Sequence, residues 1–138
     1  AVCVGRCDGT AVVRTASIDI GTRRPLGVGA GSMALLAGLP PEESAEITNL
    51  NEDRLDPSRF PADVIRRMTE RARQRGVAEH EGMLVSGISG LGIAVMDHSG
   101  RPAAGLSIAF LSDRTPARER TRYESVLADA AKRLARHL

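Results

Sequence analysis

The run Arg23-Arg24-Pro25-Leu26-Gly27-Val28-Gly29-Ala30-Gly31-Ser32 passes directly into the apolar helical segment Met33-Ala34-Leu35-Leu36-Ala37, which ends at Gly38. The first amides of a helix lack intrahelical acceptors and sit at the positive end of its dipole, so such a junction suits a carboxylate. Ala30, Gly31 and Ser32 are therefore the candidate anion contacts. The same glycines also permit a tight strand-to-helix connection with no ligand at all, and the residues alone leave both readings open.

Three other clusters invite chemistry. Gly105-Leu106-Ser107-Ile108-Ala109 nearly spells the nucleophile elbow of hydrolases. An elbow needs a strand-to-helix turn at its serine, whereas Ile108-Ala109-Phe110-Leu111 continues a strand, and His80 with Asp97 would be arbitrary triad partners. The expectation is that the chain is not an enzyme. Gly87-Ile88-Ser89-Gly90-Leu91-Gly92 leads into a strand and lacks the lysine and helix of a phosphate cradle. A zinc site from Cys3, Cys7 and His80 would draw on separate elements without recognised spacing, so neither metal nor cofactor is expected.

The elements that must position these residues read as follows. Ala1 to Cys7 and Thr10 to Ile20 are β-branched stretches around Asp8-Gly9, a dipeptide suited to a tight hairpin. Pro40-Pro41-Glu42-Glu43 opens a short helix ending near Thr48, and Asp63 to Gln74 forms an amphipathic helix with Ile65, Met68 and Ala72 on one stripe and Gly76 as its stop. Met83 to Ser89, Gly90 to Asp97 and Ala103 to Phe110 read as a three-stranded meander. Thr115-Pro116 then caps a long helix on which Tyr123, Val126, Leu127, Ala130, Ala131, Leu134 and Leu138 recur at helical spacing. Strand pair, helices, meander and helix together give an α+β fold, an antiparallel sheet flanked by helices.

At 138 residues the chain fits one domain, 1–138, long enough to bury roughly 68–70% of its unfolded surface. A formal net charge of +2 with arginines interleaved among acids offers no concentrated basic face, so this segment is not expected to bind nucleic acid itself. No apolar run approaches the roughly 18 residues of a membrane span, and no signal peptide is evident, which points to the cytoplasm and to no membrane contact. Cys3 and Cys7, four residues apart in a strand, would lie roughly 13 Å from each other, too far for a disulfide, and read as small core hydrophobes. The start at Ala1, inside an apparent strand, suggests a fragment whose upstream part is missing.

Nearly the whole chain resembles the C-terminal effector-binding domain of IclR-type transcriptional regulators. The resemblance rests on consecutive landmarks: Arg24 to Ala37, Arg75-Gly76 followed by Glu79 and Glu81, Gly92 to Asp97, and Ala103 to Ile108. Gly27, Ser32 and Met33 depart from the histidine, glycine and lysine common in the family. The resemblance implies a GAF-like fold, a small organic-acid effector, homodimers or homotetramers, and DNA contact only through an N-terminal winged helix-turn-helix absent here. It places the pocket at the Ala30-Gly31-Ser32 turn, with Ser107 as a ligand-contacting serine and Ala109 where some relatives carry a second one. It sets His80 where some relatives have an acidic pocket residue, although a lone histidine beside Glu79 and Glu81 also reads as an exposed loop residue; Val13 and Ile88 suit either apolar walls or ordinary core packing. Losing a hydroxyl at Ala109, with Gly87, Gly90 and Gly92 on facing strands, suggests a roomier pocket for an aromatic or medium-sized acid. A free-standing GAF-like oligomerisation module without ligand is the alternative from another class.

Overall fold

A computed structural model of the chain describes residues 1–9 and 18–138. Its elements are α1 (Ala30–Gly38), α2 (Pro41–Glu52), α3 (Ala62–Arg75), β1 (Ala78–Glu81), β2 (Ile88–Met96), β3 (Pro102–Leu111), a 3-10 turn (Ser112–Arg114) and α4 (Ala117–Ala135). Among the described residues the strands form one antiparallel sheet in the order β1-β2-β3, so the fold is α+β.

Side chains alternate across a strand, and the register sorts them onto two faces. Ala78, Gly92 and Ser107 align in one row and His80, Gly90 and Ala109 in the next. That face meets α1 and α3, where Met33, Ala34, Ala37 and Ala72 pack with Ala78, Met68 and Ala94. The opposite face carries Leu91, Ile93, Leu106, Ile108 and Phe110, which pack against Leu127 and Tyr123 of α4. Met33 and Leu36 are fully buried, each contributing roughly 1.5–3 kcal/mol of apolar transfer free energy. Leu36 also reaches toward Gly27, as does Ile65 of α3.

Several sequence expectations shift. The first strand of the meander is Ala78–Glu81, not Met83 to Ser89. Gly82 and Gly87, at φ 66° and 77°, turn the chain between them into a loop, and β2 then runs unbroken through Ser89 and Gly90. Helix α2 continues past Thr48 to Glu52 because its buried face is polar and anchored: Thr48 Oγ1 donates to the Ser44 carbonyl and Asn51 Nδ2 to that of Leu26. Thr115 makes no side-chain cap for α4, whose N-cap is Pro116; its carbonyl accepts from Arg120 Nε instead. On α4 only Leu127 and Ala131 of the predicted stripe are buried, while Val126, Leu134 and Leu138 are exposed. Helix α3 ends at Gly76 in the left-handed conformation expected of a C-terminal glycine.

The Asp8-Gly9 hairpin lies partly outside the described residues. What is described is an antiparallel pairing of the first residues with 21–24: Val2 bridges Arg23, Cys3 N donates to the Thr22 carbonyl, and Arg24 N donates to that of Ala1. Both thiols are free, Cys3 half-buried and Cys7 exposed, so neither belongs to the core. Among the described residues no helix is long and apolar enough to cross a membrane.

Candidate ligand-binding site

Helix α1 starts where the backbone turns through Gly27 and Gly29 at φ 96° and 93°, conformations that favour glycine. Gly29 is the N-cap and offers no side chain, and α1 has no acid in its first turn. Gly29's carbonyl accepts from Met33 N, while the amides of Ala30, Gly31 and Ser32 meet no acceptor among the described residues. No carboxylate of the helix's own first turn therefore compensates its positive end.

This end lies directly on the sheet. A Cβ on Gly31 would sit 3.3 Å from Ser107 Oγ, so the turn and the serine on the edge strand are neighbours. A Cβ on Gly92 would fall 2.3 Å from the Ala30 carbonyl oxygen, and one on Gly105 2.4 Å from that of Gly31. Gly90 meets the edge of the His80 imidazole, with Nε2 2.7 Å and Cε1 3.2 Å from its Cβ position, and Ala30 Cβ is 3.2 Å from the same point. The space expected at Gly90 and Gly92 is therefore filled, by the His80 ring and the α1 backbone, and does not enlarge a pocket.

The structure thus brings Ala30, Gly31, His80, Gly90, Ser107 and Ala109 onto one face around the start of α1. Ser107 and Ala109 are exposed, Gly31 is half-buried, and Ala30 is buried. Ile88, half-buried, precedes Gly90 on the same side of β2. Ser32 closes the preceding loop with its hydroxyl, which donates to the Pro25 carbonyl and accepts from Gly27 N, both at 3.1 Å, so only its amide is left for a ligand. Val13 lies outside the described residues. Strand β3 runs straight through Ser107, without the turn a nucleophile elbow requires. Two half-open clefts lie elsewhere, one of about 370 Å³ between α2 and α3 around Phe60 and Ile65, the other of about 210 Å³ beside Ala37 and Ala78.

His80 is 6% exposed, and its Nδ1 is buried without a hydrogen-bond partner among the described residues. Burial first, and the positive charge of Arg24 second, hold its pKa below the usual 6.5. The unfolded chain therefore takes up the proton before the folded one does. The His80 contribution is complete above about pH 6.5 and is lost as pH falls from there toward the lowered folded value. Urea titrations between pH 7.5 and 5 are expected to show wild type losing stability faster than His80→Gln; parallel curves would refute a neutral buried imidazole.

Some residues at the site carry no obvious sequence signal. Leu84, in the loop between β1 and β2, lies 3.3 Å from the Cβ position of Gly29, and Arg59 donates to the Leu84 carbonyl, tying this loop to the α2–α3 connection. The electrostatic role of Arg24 had a signal, a cation beside Pro25 entering a glycine-rich turn.

The family model described as bacterial transcriptional regulator IclR C-terminal matches residues 1–136. No curated protein matches the chain. Among solved structures, the Thermotoga maritima IclR is 28% identical with a TM-score of 0.75, over 87% of this chain and 49% of that one. An IclR transcriptional regulator from Alicyclobacillus acidocaldarius is 18% identical with a TM-score of 0.82, over 97% and 54%. The C-terminal domain of the E. coli transcriptional regulator KdgR is 24% identical with a TM-score of 0.72, over 90% and 76%. The chain thus spans about half the length of the first two, at 49% and 54%.

Proposed function

Since the chain belongs to the IclR C-terminal family of bacterial transcriptional regulators, we propose that it is a ligand-sensing and oligomerisation domain. Its effector is an organic carboxylate that controls DNA binding by an N-terminal partner domain. The observation that carries this reading is the bare positive end of α1, set against Ser107 on a face that also holds His80. Three amides without an acceptor among the described residues and a hydroxyl are donors of the kind a carboxylate requires. Ala109 and Ile88, on the same face, suit an apolar body behind the carboxylate. Coupling to DNA requires the acid to bind one arrangement of the domain or its oligomer more tightly than another.

Calorimetric titration of this chain with benzoate and pyruvate tests the site. Saturable binding of benzoate in preference to pyruvate is expected, with Ser107→Ala weakening it about tenfold, the cost of one charge-assisted hydrogen bond. Absence of saturable binding by either acid, or an affinity indifferent to Ser107→Ala, would overturn the proposal. The second reading, an oligomerisation module without ligand, is favoured by the backbone contacts at Gly92 and Gly105, which packing alone explains.

A further inference from the structure

We infer that copies of this chain join through a heterologous contact, the acidic face of α2 on one copy seated against the basic face of α4 on the next. The inference rests on the reading of the chain as an oligomerisation domain and goes on to name the two surfaces that join.

Much of the surface charge is paired within the chain. On α3, Arg66, Arg67, Arg73 and Arg75 each meet a carboxylate, and Arg101 pairs with Glu43 of α2. Two helix faces depart from that habit. Helix α2 carries four glutamates and no base, and Glu42 and Glu46, both exposed, have no ion-pair partner among the described residues. One turn beyond them Leu50 is 68% exposed, so an apolar side chain continues the acidic row. On α4, Arg118 is exposed and likewise unpaired, Arg122 reaches only Glu119 at 4.0 Å, and Val126, one turn on, is 51% exposed.

The two rows share one spacing. Positions i, i+4 and i+8 lie along one side of a helix, about 12 Å from end to end. Glu42, Glu46 and Leu50 occupy them on α2, and Arg118, Arg122 and Val126 on α4. Laid side by side in parallel, the rows set each glutamate against an arginine and Leu50 against Val126. Helix α2 stops at Glu52, so the match covers this length, with Asp53 and Asp129 the like-charged pair just beyond it. Two arginine rows, or two glutamate rows, would repel, so charge disfavours pairing either helix with its own copy.

These faces cannot meet within one molecule. Helix α2 packs on α1 and α3, on the side of the sheet opposite α4. A copy therefore offers α2 to one neighbour and α4 to another, which builds a ring or a row of copies rather than a closed pair. The apolar residue in each row favours a protein partner over a nucleic acid, whose phosphates would engage the arginines alone.

The test is sedimentation velocity on the whole chain over a concentration series, at about 50 mM and about 500 mM NaCl. The variants are Glu42→Lys/Glu46→Lys and Arg118→Glu/Arg122→Glu, each first checked by thermal melting. Wild type is expected to form species larger than a dimer, with association weakened about tenfold at the higher salt. Each variant alone should stay monomeric, and an equimolar mixture should reassociate, because lysines on one α2 then face glutamates on the other's α4. If a variant does not fold, Leu50→Gln replaces it and should weaken association about fivefold. Association indifferent to salt and to the substitutions, or a mixture that stays apart, overturns the α2–α4 contact while the oligomerisation reading stands. A wild type that is monomeric throughout removes that reading as well. Duplex DNA bound by such a monomer, and lost in Arg118→Glu/Arg122→Glu, would assign the basic face to nucleic acid instead.

Discussion

Replacing Gly92 by alanine is expected to destabilise the domain by about 3 kcal/mol, at the upper end for one added methyl group. The new Cβ would stand 2.3 Å from the Ala30 carbonyl oxygen, 2.4 Å from its carbon and 2.7 Å from Gly31 N. All three are backbone atoms, which cannot swing aside as the end of a flexible side chain can. Relief requires α1 to lift from the middle of the sheet, exposing Met33 and Ala34 beneath it. A fall in Tm of roughly 10 °C follows for a domain of this size. Gly5→Ala is the control, since nothing lies within 4 Å of its Cβ position. A Gly92→Ala melting temperature equal to that of the control would show that α1 is not seated on β2 as described.

On the other side of the same strand, Leu91→Ala is expected to cost about 3–4 kcal/mol. Leu91 is fully buried at the centre of β2, in one cluster with Phe110 and Leu127, and Ile93, Leu106, Ile108 and Tyr123 close around it. Truncation leaves a cavity that these neighbours cannot fill without moving β3 or α4. Phe110 is constrained further, its ring 5.5 Å from that of Tyr123 and 5.4 Å from the Arg120 guanidinium. Urea unfolding should show a lower midpoint at an unchanged m-value. A loss below about 1 kcal/mol would mean that α4 does not depend on this face, contrary to the packing of Leu127.

These two substitutions also mark where the sequence was informative. Leu91 and Gly92 are adjacent letters with opposite constraints, and only the pairing register reveals which faces α4 and which faces α1. Helices α1, α3 and α4 were legible from different signals: an apolar run closed by Gly38, an amphipathic period stopped at Gly76, and an apolar period opening after Pro116. The strand boundaries around 82–87 were not. Met83, Leu84 and Val85 read as strand residues, yet two left-handed glycines enclose them in a loop, and composition does not display φ. Around the α1 turn, the structure sets Ser107 beside Gly31 and His80 on the same sheet face, as neighbours in space. The use of Ser32's hydroxyl to close its own loop was not legible, because Pro25 and Gly27 act there through backbone atoms.

Helix α1 is also braced at its far end, where a Cβ on Gly38 would lie 3.1 Å from Pro102 and 3.4 Å from Met96 Sδ. With Ala30 and Gly31 wedged over Gly92 and Gly105 in front and Gly38 stopped behind, it resembles an axle between two bearings. Both ends of the helix are thus held by close contacts with the sheet, and the Leu84 side chain, on the loop whose carbonyl accepts from Arg59, is the remaining neighbour of its N-cap.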